Sequence, residues 1–296
     1  MNKNKIALVD VDGHNFPNLP LMKISAYHKN IGDDVEVCTP FSRYDRIYIS
    51  KVFTFSSDYN TVLQADEIIY GGTGYNLTSK LLSEIEHIYP DYELYNKLTE
   101  NTAYGFLTRG CPRNCEFCIV SDKEGHKSVT VADLDEFWSG QREIKLLDPN
   151  LTACNEREKL LQQLVDSNAW VDFTQGIDIR LIDGLENLIT KIKTKMIHFA
   201  WDDPLEDLTV QFSRFKQKTN IDMRRLRVYV LTNFNSTHEQ DLYRVYKLRE
   251  MGYDPYIMIF NKQAAPQNTK YLARWVNNKI IFRCTEKFED YNPKLG

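Results

Sequence analysis

The feature that most constrains this chain is an alternation that runs along nearly all of it. A short apolar run of strand length is followed by a turn and then by a stretch with apolar residues at helical spacing. Parallel neighbours need a crossover, and a helix supplies it, so strands alternating with helices imply a parallel, wound sheet. In the first hundred residues the expected strands are 5–11, 35–38, 46–50 and 67–70. One helix is expected over 19–31, where Leu21, Ile24, Tyr27 and Ile31 share a face, Pro20 stands near the start and Gly32 just past the end. Gly71-Gly-Thr-Gly74 turns the chain towards a second helix over 78–87.

From Ala103 the alternation starts afresh. Strands are expected at 103–108, 143–147, 170–175, 196–201, 227–232 and 255–260. Helices fall between them at 131–139, 156–168, 185–193, 204–218 and 237–251. Six βα units in this order suggest a partial (β/α)6 TIM-like barrel. The tail is expected to add a helix at 270–277 and a strand at 279–283, and to cover the open side. The expected fold class is therefore α/β: a Rossmann-like wound parallel sheet over residues 1–100, a partial TIM-like barrel over 101–265, and an accessory segment over 266–296. In such barrels chemistry sits at the C-terminal ends of the strands.

Length and composition narrow the class. A chain of 296 residues holds one large or two modest domains, and its 42% hydrophobic and 26% charged content is that of an ordinary globular protein. No apolar run approaches the roughly 18 residues of a membrane helix, so no membrane partner is expected. The start is a short polar lead into a strand and does not read as a signal peptide. A net charge of −4 gives no electrostatic footprint for nucleic acid. The basic group Arg224, Arg225 and Arg227 reads as a solvated face before a strand. Six cysteines, three scattered and three clustered, make no disulfide framework. They read as a cytoplasmic protein with a metal or redox site.

The clustered cysteines are Cys111, Cys115 and Cys118, in Gly105-Phe-Leu-Thr-Arg-Gly-Cys-Pro-Arg-Asn-Cys-Glu-Phe-Cys-Ile-Val120. The loop follows the first strand of the second domain. A closed zinc site wants four ligands and a closed iron–sulfur cluster four thiolates. Three thiolates in one loop either find a distant fourth ligand, such as Cys154 or a histidine, or leave one iron of a four-iron cluster open.

The spacing C-x-x-x-C-x-x-C, with an aromatic just before the last cysteine, resembles the radical S-adenosylmethionine (radical SAM) family. The resemblance implies a 4Fe–4S cluster on Cys111, Cys115 and Cys118, with S-adenosylmethionine chelating the open iron. Reductive cleavage then releases a 5′-deoxyadenosyl radical, which abstracts hydrogen from a substrate the sequence does not name. It also implies a reductant such as flavodoxin or ferredoxin. Phe117 takes the place of the aromatic against the adenine. Asp148 and Asn150, in Leu146-Leu-Asp-Pro-Asn-Leu-Thr152, take the place that receives the cofactor's amino group. A polar helix-start turn capped by Asn150 or Thr152 is the plain alternative there.

After the third strand, Gln175, Asp178 and Arg180 alternate with apolar residues, which on a strand end puts them on one face. Arg180 can clamp the cofactor's carboxylate, and Gln175 or Asp178 can hold ribose hydroxyls. The plain reading is an ion pair between Asp178 and Arg180. His198, Trp201 and Asp202 are substrate-pocket candidates, with a satisfied core histidine as the alternative for His198. Asn233 is a candidate polar contact beside the adenine, and Asn261 and Lys262 fall at the same rim.

In the first domain, Asp10-Val-Asp-Gly13 departs from a haloacid-dehalogenase pattern, because Gly32-Asp-Asp34 comes too soon for the later acidic pair. Asp12-Gly-His-Asn-Phe-Pro17 resembles the cobalamin motif D-x-H-x-x-G, with His14 as cobalt ligand and Gly71-Gly72 near the cofactor's tail. Pro17 replaces the motif's glycine and restricts Phe16, which weighs against cobalamin. The resemblance is to the radical SAM branch that includes the methylthiotransferases. Cys38 stands alone, and no room remains for their C-terminal barrel, so methylthiolation is not expected. Two alternatives stay open: a cobalamin-dependent methyltransferase, and a non-catalytic zinc or iron–sulfur module for binding or electron transfer.

Overall fold

A computed structural model describes residues 3–13 and 15–294; the cobalt-ligand candidate His14 lies outside the described residues. The chain is mixed α/β with two parallel sheets. It divides into two compact units, one comprising Met1–Gly105 and Ala132–Ile144, the other Phe106–Val131 and Lys145–Gly296.

In the first unit the elements are β1 (Lys5–Asp10), α1 (Leu19–Asn30), β2 (Asp34–Val37), β3 (Arg43–Ser50), β4 (Gln64–Gly71) and the single turns α2 (Ser83–Glu86) and α3 (Asn96–Thr99). The sheet order is β2-β1-β3-β4, all parallel. Period-two alternation in β1 feeds both faces. Ile6 and Leu8 pack with Leu21 and Ile24 of α1, while Ala7 and Val9 pack with Tyr44, Ile47 and Ile49. Asn18 starts α1 by accepting from the Leu21 amide at 3.2 Å. The helix expected over 78–87 shrinks to α2.

The chain continues through β5 (Thr102–Gly105), β6 (Thr108–Arg109), α4 (Val120–Glu124), β7 (Val129–Thr130), β8 (Glu143–Leu146), α5 (Arg157–Ser167), β9 (Trp170–Phe173), α6 (Glu186–Lys191), β10 (Thr194–Ala200), α7 (Thr209–Lys218), β11 (Leu226–Thr232), α8 (His238–Glu250), β12 (Asp254–Ile259), α9 (Gln267–Asn277) and α10 (Lys279–Cys284). The six-stranded sheet has the order β12-β11-β10-β9-β8-β5, each strand beside its neighbour in the alternation. In the second unit, Phe199 of β10 packs edge-on to Phe212 and Phe215 of α7. Leu160, Leu161 and Leu164 of α5 and Val245 and Leu248 of α8 are fully buried.

Four further expected elements differ. The strand expected at 103–108 breaks at Phe106, and Thr108–Arg109 leaves to pair antiparallel with β7. Residues 131–139 hold only a 3₁₀ turn, Leu134–Glu136, closed by a capping box between Asp133 and Glu136. The third strand stops at Phe173, because Gly176 turns at φ 104° where a Cβ would press on the His198 carbonyl at 2.9 Å. Gln175, Asp178 and Arg180 therefore do not alternate along a strand. Asp178 instead caps a 3₁₀ turn, Ile179–Leu181. The strand expected at 279–283 is the helix α10, because the Asn278 side chain accepts from the amides of Ile280 and Ile281.

Candidate functional site

The cysteines lie in the loop between β6 and β7, and that ladder closes the loop at its base, pairing Thr108 with Thr130 and Arg109 with Val129. Within the loop, Arg109 donates to Glu124 at 2.9 Å, Glu124 accepts from the Gly110 amide at 3.2 Å, and the Cys111 amide donates to the Gly125 carbonyl at 3.1 Å. Gly110, at φ 85°, passes so close to the Lys127 carbonyl that a side chain would collide with it. The Cys118 amide donates to the Cys115 carbonyl at 2.9 Å. Three cysteines thus sit on a strapped loop.

Cys111, Cys115 and Cys118 all line one cavity of about 490 Å³, within the range of ligand sites. Phe117, Asn150, Gln175, Asp178 and Arg180 line it as well. Asp148 and Asn233 do not. The Asp148 carboxylate, 3% exposed, accepts from the amides of Leu107 (3.1 Å) and Thr108 (2.5 Å) and from the Thr108 hydroxyl (2.7 Å). It anchors the strand that leads into the cysteine loop. Burial pushes its carboxyl up to about 6, against the hydrogen bonds that favour the ionised form. Asn233 adopts a left-handed turn at φ 62° and donates to the Phe260 carbonyl at 2.8 Å. The next residues, Phe234 and Asn235, are the ones that line the cavity.

Asn150 is buried beside the loop. Its amide nitrogen donates to the Cys111 sulfur at 3.5 Å, and its amide oxygen accepts from Thr152 at 3.1 Å. The Thr152 hydroxyl accepts from the Asp178 amide at 3.0 Å, so one polar chain joins the β8 and β9 ends to the cysteine loop. Burial pushes the thiols of Cys115 and Cys118 above the ordinary value. Metal binding at either would therefore release a proton. Cys154, the candidate fourth ligand, is buried, lies 3.5 Å from the Thr130 hydroxyl and does not line the cavity. Among the described residues no three His, Cys, Asp or Glu side chains form a group that could hold a metal ion.

Arg180 is already engaged. It donates to Glu206 through Nε and Nη2, both at 2.7 Å, and to Asp178 through Nη1 at 2.8 Å. Burial opposes its charge, but the hydrogen bonds to Glu206 and Asp178 raise its pKa above the ordinary value. The same contact with Arg180 lowers that of Glu206. Arg113, from within the cysteine loop, stands 3.5 Å from Glu206 and 3.9 Å from Asp178 and remains partly exposed on the cavity wall. Sequence reasoning missed Arg113, Glu206 and Phe234. Arg113 was legible as the one cation between the cysteines, whereas the other two carry no local signal.

Of the β10 candidates, Asp202 lines the cavity, and burial pushes its carboxyl up to about 6, opposed chiefly by Arg244. Trp201 is a core residue that donates to the Glu206 carbonyl at 2.6 Å. His198 is buried one step below the cavity. Asn261 and Lys262 do not line it. A second recess, of about 570 Å³ and more open, lies between the ends of α6 and α7 and is lined by Asn187, Thr190, Gln217, Lys218 and their neighbours, with no thiol, imidazole or carboxylate. The cysteine cavity is therefore the candidate site.

No protein-family model matches this chain, and no curated protein matches it.

Proposed function

We propose that this chain is a radical SAM enzyme. The observation that carries the reading is a strapped loop with three thiols on the wall of one ligand-sized cavity, together with amide, guanidinium and aromatic groups. The donor set fits a four-iron cluster with one open iron. Such a cluster takes its thiolates one per iron, at separate corners, so its three sulfurs need not meet at a single point. Cys154 stands outside the cavity and His126, in the same loop, is exposed, so neither places a fourth ligand for zinc on the cavity wall. When bound, the reduced cluster supplies the electron that cleaves the sulfonium and yields the 5′-deoxyadenosyl radical.

This chain's residues would supply position and electrostatics. Asn150 donates to the Cys111 sulfur, the kind of contact that tunes a cluster's potential. Phe117 and Phe234, ring centroids 5.5 Å apart at 72°, offer an apolar wall for an adenine. Arg113 is the better carboxylate partner than Arg180, because the latter is already engaged by Asp178 and by a two-pronged contact with Glu206. Gln175 and Asn235 offer amides to hydroxyl groups at the rim. The finer fold belongs to the same proposal. Six strands in sequential order support a partial (β/α)6 barrel, and the order β2-β1-β3-β4 supports a Rossmann-like first domain.

The test is oxygen-free preparation and reconstitution. Expected are about four irons and four sulfides per chain, as the cluster type requires, and 5′-deoxyadenosine on reduction with S-adenosylmethionine. Both should vanish in Cys115→Ala. Stoichiometric zinc without iron, or a bound cluster with no cleavage, would refute the reading.

A further inference from the structure

The face of the six-stranded sheet opposite α7 carries a polar layer with no assigned role. Side chains alternate along a strand. Phe199 points to Phe212 and Phe215 of α7, so His198 points the other way. His198 stacks on Tyr229 of β11 with centroids 5.1 Å apart and planes at 9°, and Tyr229 meets Tyr256 of β12 edge-on at 5.9 Å. Asp172 of β9 brings a carboxylate oxygen to 3.7 Å from His198 Nδ1. Two residues further along β10, Ala200 and then Asp202 line the cysteine cavity. That places His198 about 6–7 Å below Ala200 on the same face.

The pair is not a closed ion pair. His198 Nδ1 lies 3.0 Å from the Phe173 carbonyl, which makes Nδ1 the donor and leaves Nε2 as an acceptor. Oδ1 of Asp172 is buried without a hydrogen-bond partner. An orphaned carboxylate oxygen of that kind is costly unless a donor comes to it. The side chains of Asp172 and His198 keep 15% and 9% exposure, so the pair is not sealed off. Two of the charged groups nearby are engaged elsewhere. Arg227 donates to Asp254 at 2.9 Å and stands over the Tyr256 ring, and Lys279 also pairs with Asp254. Oδ1 of Asp172 and Nε2 of His198 therefore keep acceptor capacity on one face of the sheet, although Lys145 and Lys195 act on Asp172 through their charge. A cation with N–H groups matches these acceptors, giving a charge-assisted hydrogen bond to the carboxylate.

We propose that Asp172 and His198 form a binding site for a protonated primary amine of the substrate, one layer of the sheet below the cysteine cavity. Placing the amine on the substrate rests on the radical SAM reading; the amine site itself does not. Burial raises the pKa of Asp172 and lowers that of His198, so both lean towards their neutral forms while empty. An ammonium beside Asp172 draws its carboxyl to the ionised form, with Lys145 and Lys195 near enough to act in the same direction.

The experiment is an NMR titration of the full chain, without cluster, with n-butylammonium chloride, reading the imidazole C–H signals of the six histidines. The expected result is a saturable shift confined to the signal that His198→Gln removes. In Asp172→Asn the binding should weaken at least about tenfold, the loss of one hydrogen bond to a charged group. Tetramethylammonium carries the same charge without N–H donors and should shift the signal far less; this comparison needs no variant and survives if Asp172→Asn misfolds. No shift, or equal shifts from both cations, overturns the proposal. The titration is independent of cofactor cleavage, so a failed amine site leaves the cluster reading standing, and a failed cluster leaves the amine site standing.

Discussion

Arg180 gives its guanidinium to two carboxylates at once, and that settles how a single residue behaves in this site. The sequence offers an ion pair with Asp178 or a clamp for a ligand; the pair forms, and Glu206 completes it. Only Asp178 was legible, since it lies two residues away, whereas Glu206 arrives from the loop after β10. Arg180→Met would leave the Asp178 carboxylate, almost fully buried, with only the more distant Arg113 guanidinium at 3.9 Å as countercharge. Partial exposure of Glu206 moderates the penalty, so a loss of about 2 kcal/mol in urea unfolding is expected. Arg180→Lys should recover only part of it, because an ammonium cannot make the two-pronged contact. The pH dependence follows from Glu206, whose folded pKa is lowered. Its contribution is present above the ordinary carboxylate value and is lost as pH falls through the folded one. Stability of the parent protein should therefore drop through that acidic window, and Arg180→Met should show a smaller drop. An unchanged slope would mean that the pair contributes nothing.

At the scale of elements, long periodic segments were the legible ones. α1, α5, α7 and α8 and the strands β8 to β12 fall within a few residues of expectation, because apolar period and end signals agree there. The tail went astray for a local reason. Ile280, Ile281 and Phe282 read as a strand by residue type, yet Asn278 caps their amides, and Phe282 packs on Trp275 of α9 at 4.9 Å. The neighbouring Asn277 does something that no periodicity signals. Its side-chain oxygen accepts from the Ile257 amide at 2.8 Å, and its nitrogen donates to the Ile257 carbonyl at 3.0 Å. One carboxamide thus satisfies both backbone groups that the last strand of the sheet presents at that point. Asn277→Ala should cost about 1–2 kcal/mol, from two hydrogen bonds of about 1 kcal/mol each. Hydrogen exchange at the Ile257 amide should quicken markedly while that at Val228 and Val230 of β11 holds. Equal protection in the variant would show that the edge is guarded by something else.

For the molecule as a whole, the division into units departs from chain order. Residues 132–144 fold with the first unit, where the Tyr92 hydroxyl donates to the Phe137 carbonyl at 2.6 Å and Gly105 leaves room for the Phe137 ring. A sequence read for contiguous domains cannot show this, because the return is made by a few long-range contacts and not by a change of pattern. The cysteine loop and every other residue of the cavity belong to the second unit. Ligand that binds only the folded state stabilises it, by about 2.7 kcal/mol at a hundredfold excess over its dissociation constant, and it does so where its contacts are. Reconstitution with iron and sulfide should thus slow hydrogen exchange in residues 108–130, and addition of S-adenosylmethionine should extend the protection to residues 175–180, 199–203 and 234–235. The strands β1 to β4 hold none of the cavity residues and should exchange as before. Protection that appeared chiefly in β1 to β4 would move the binding of iron or S-adenosylmethionine to the first unit and overturn the assignment to the cysteine cavity. Protection spread evenly over both units would mean that iron acts on the stability of the whole chain and not at the cysteine cavity.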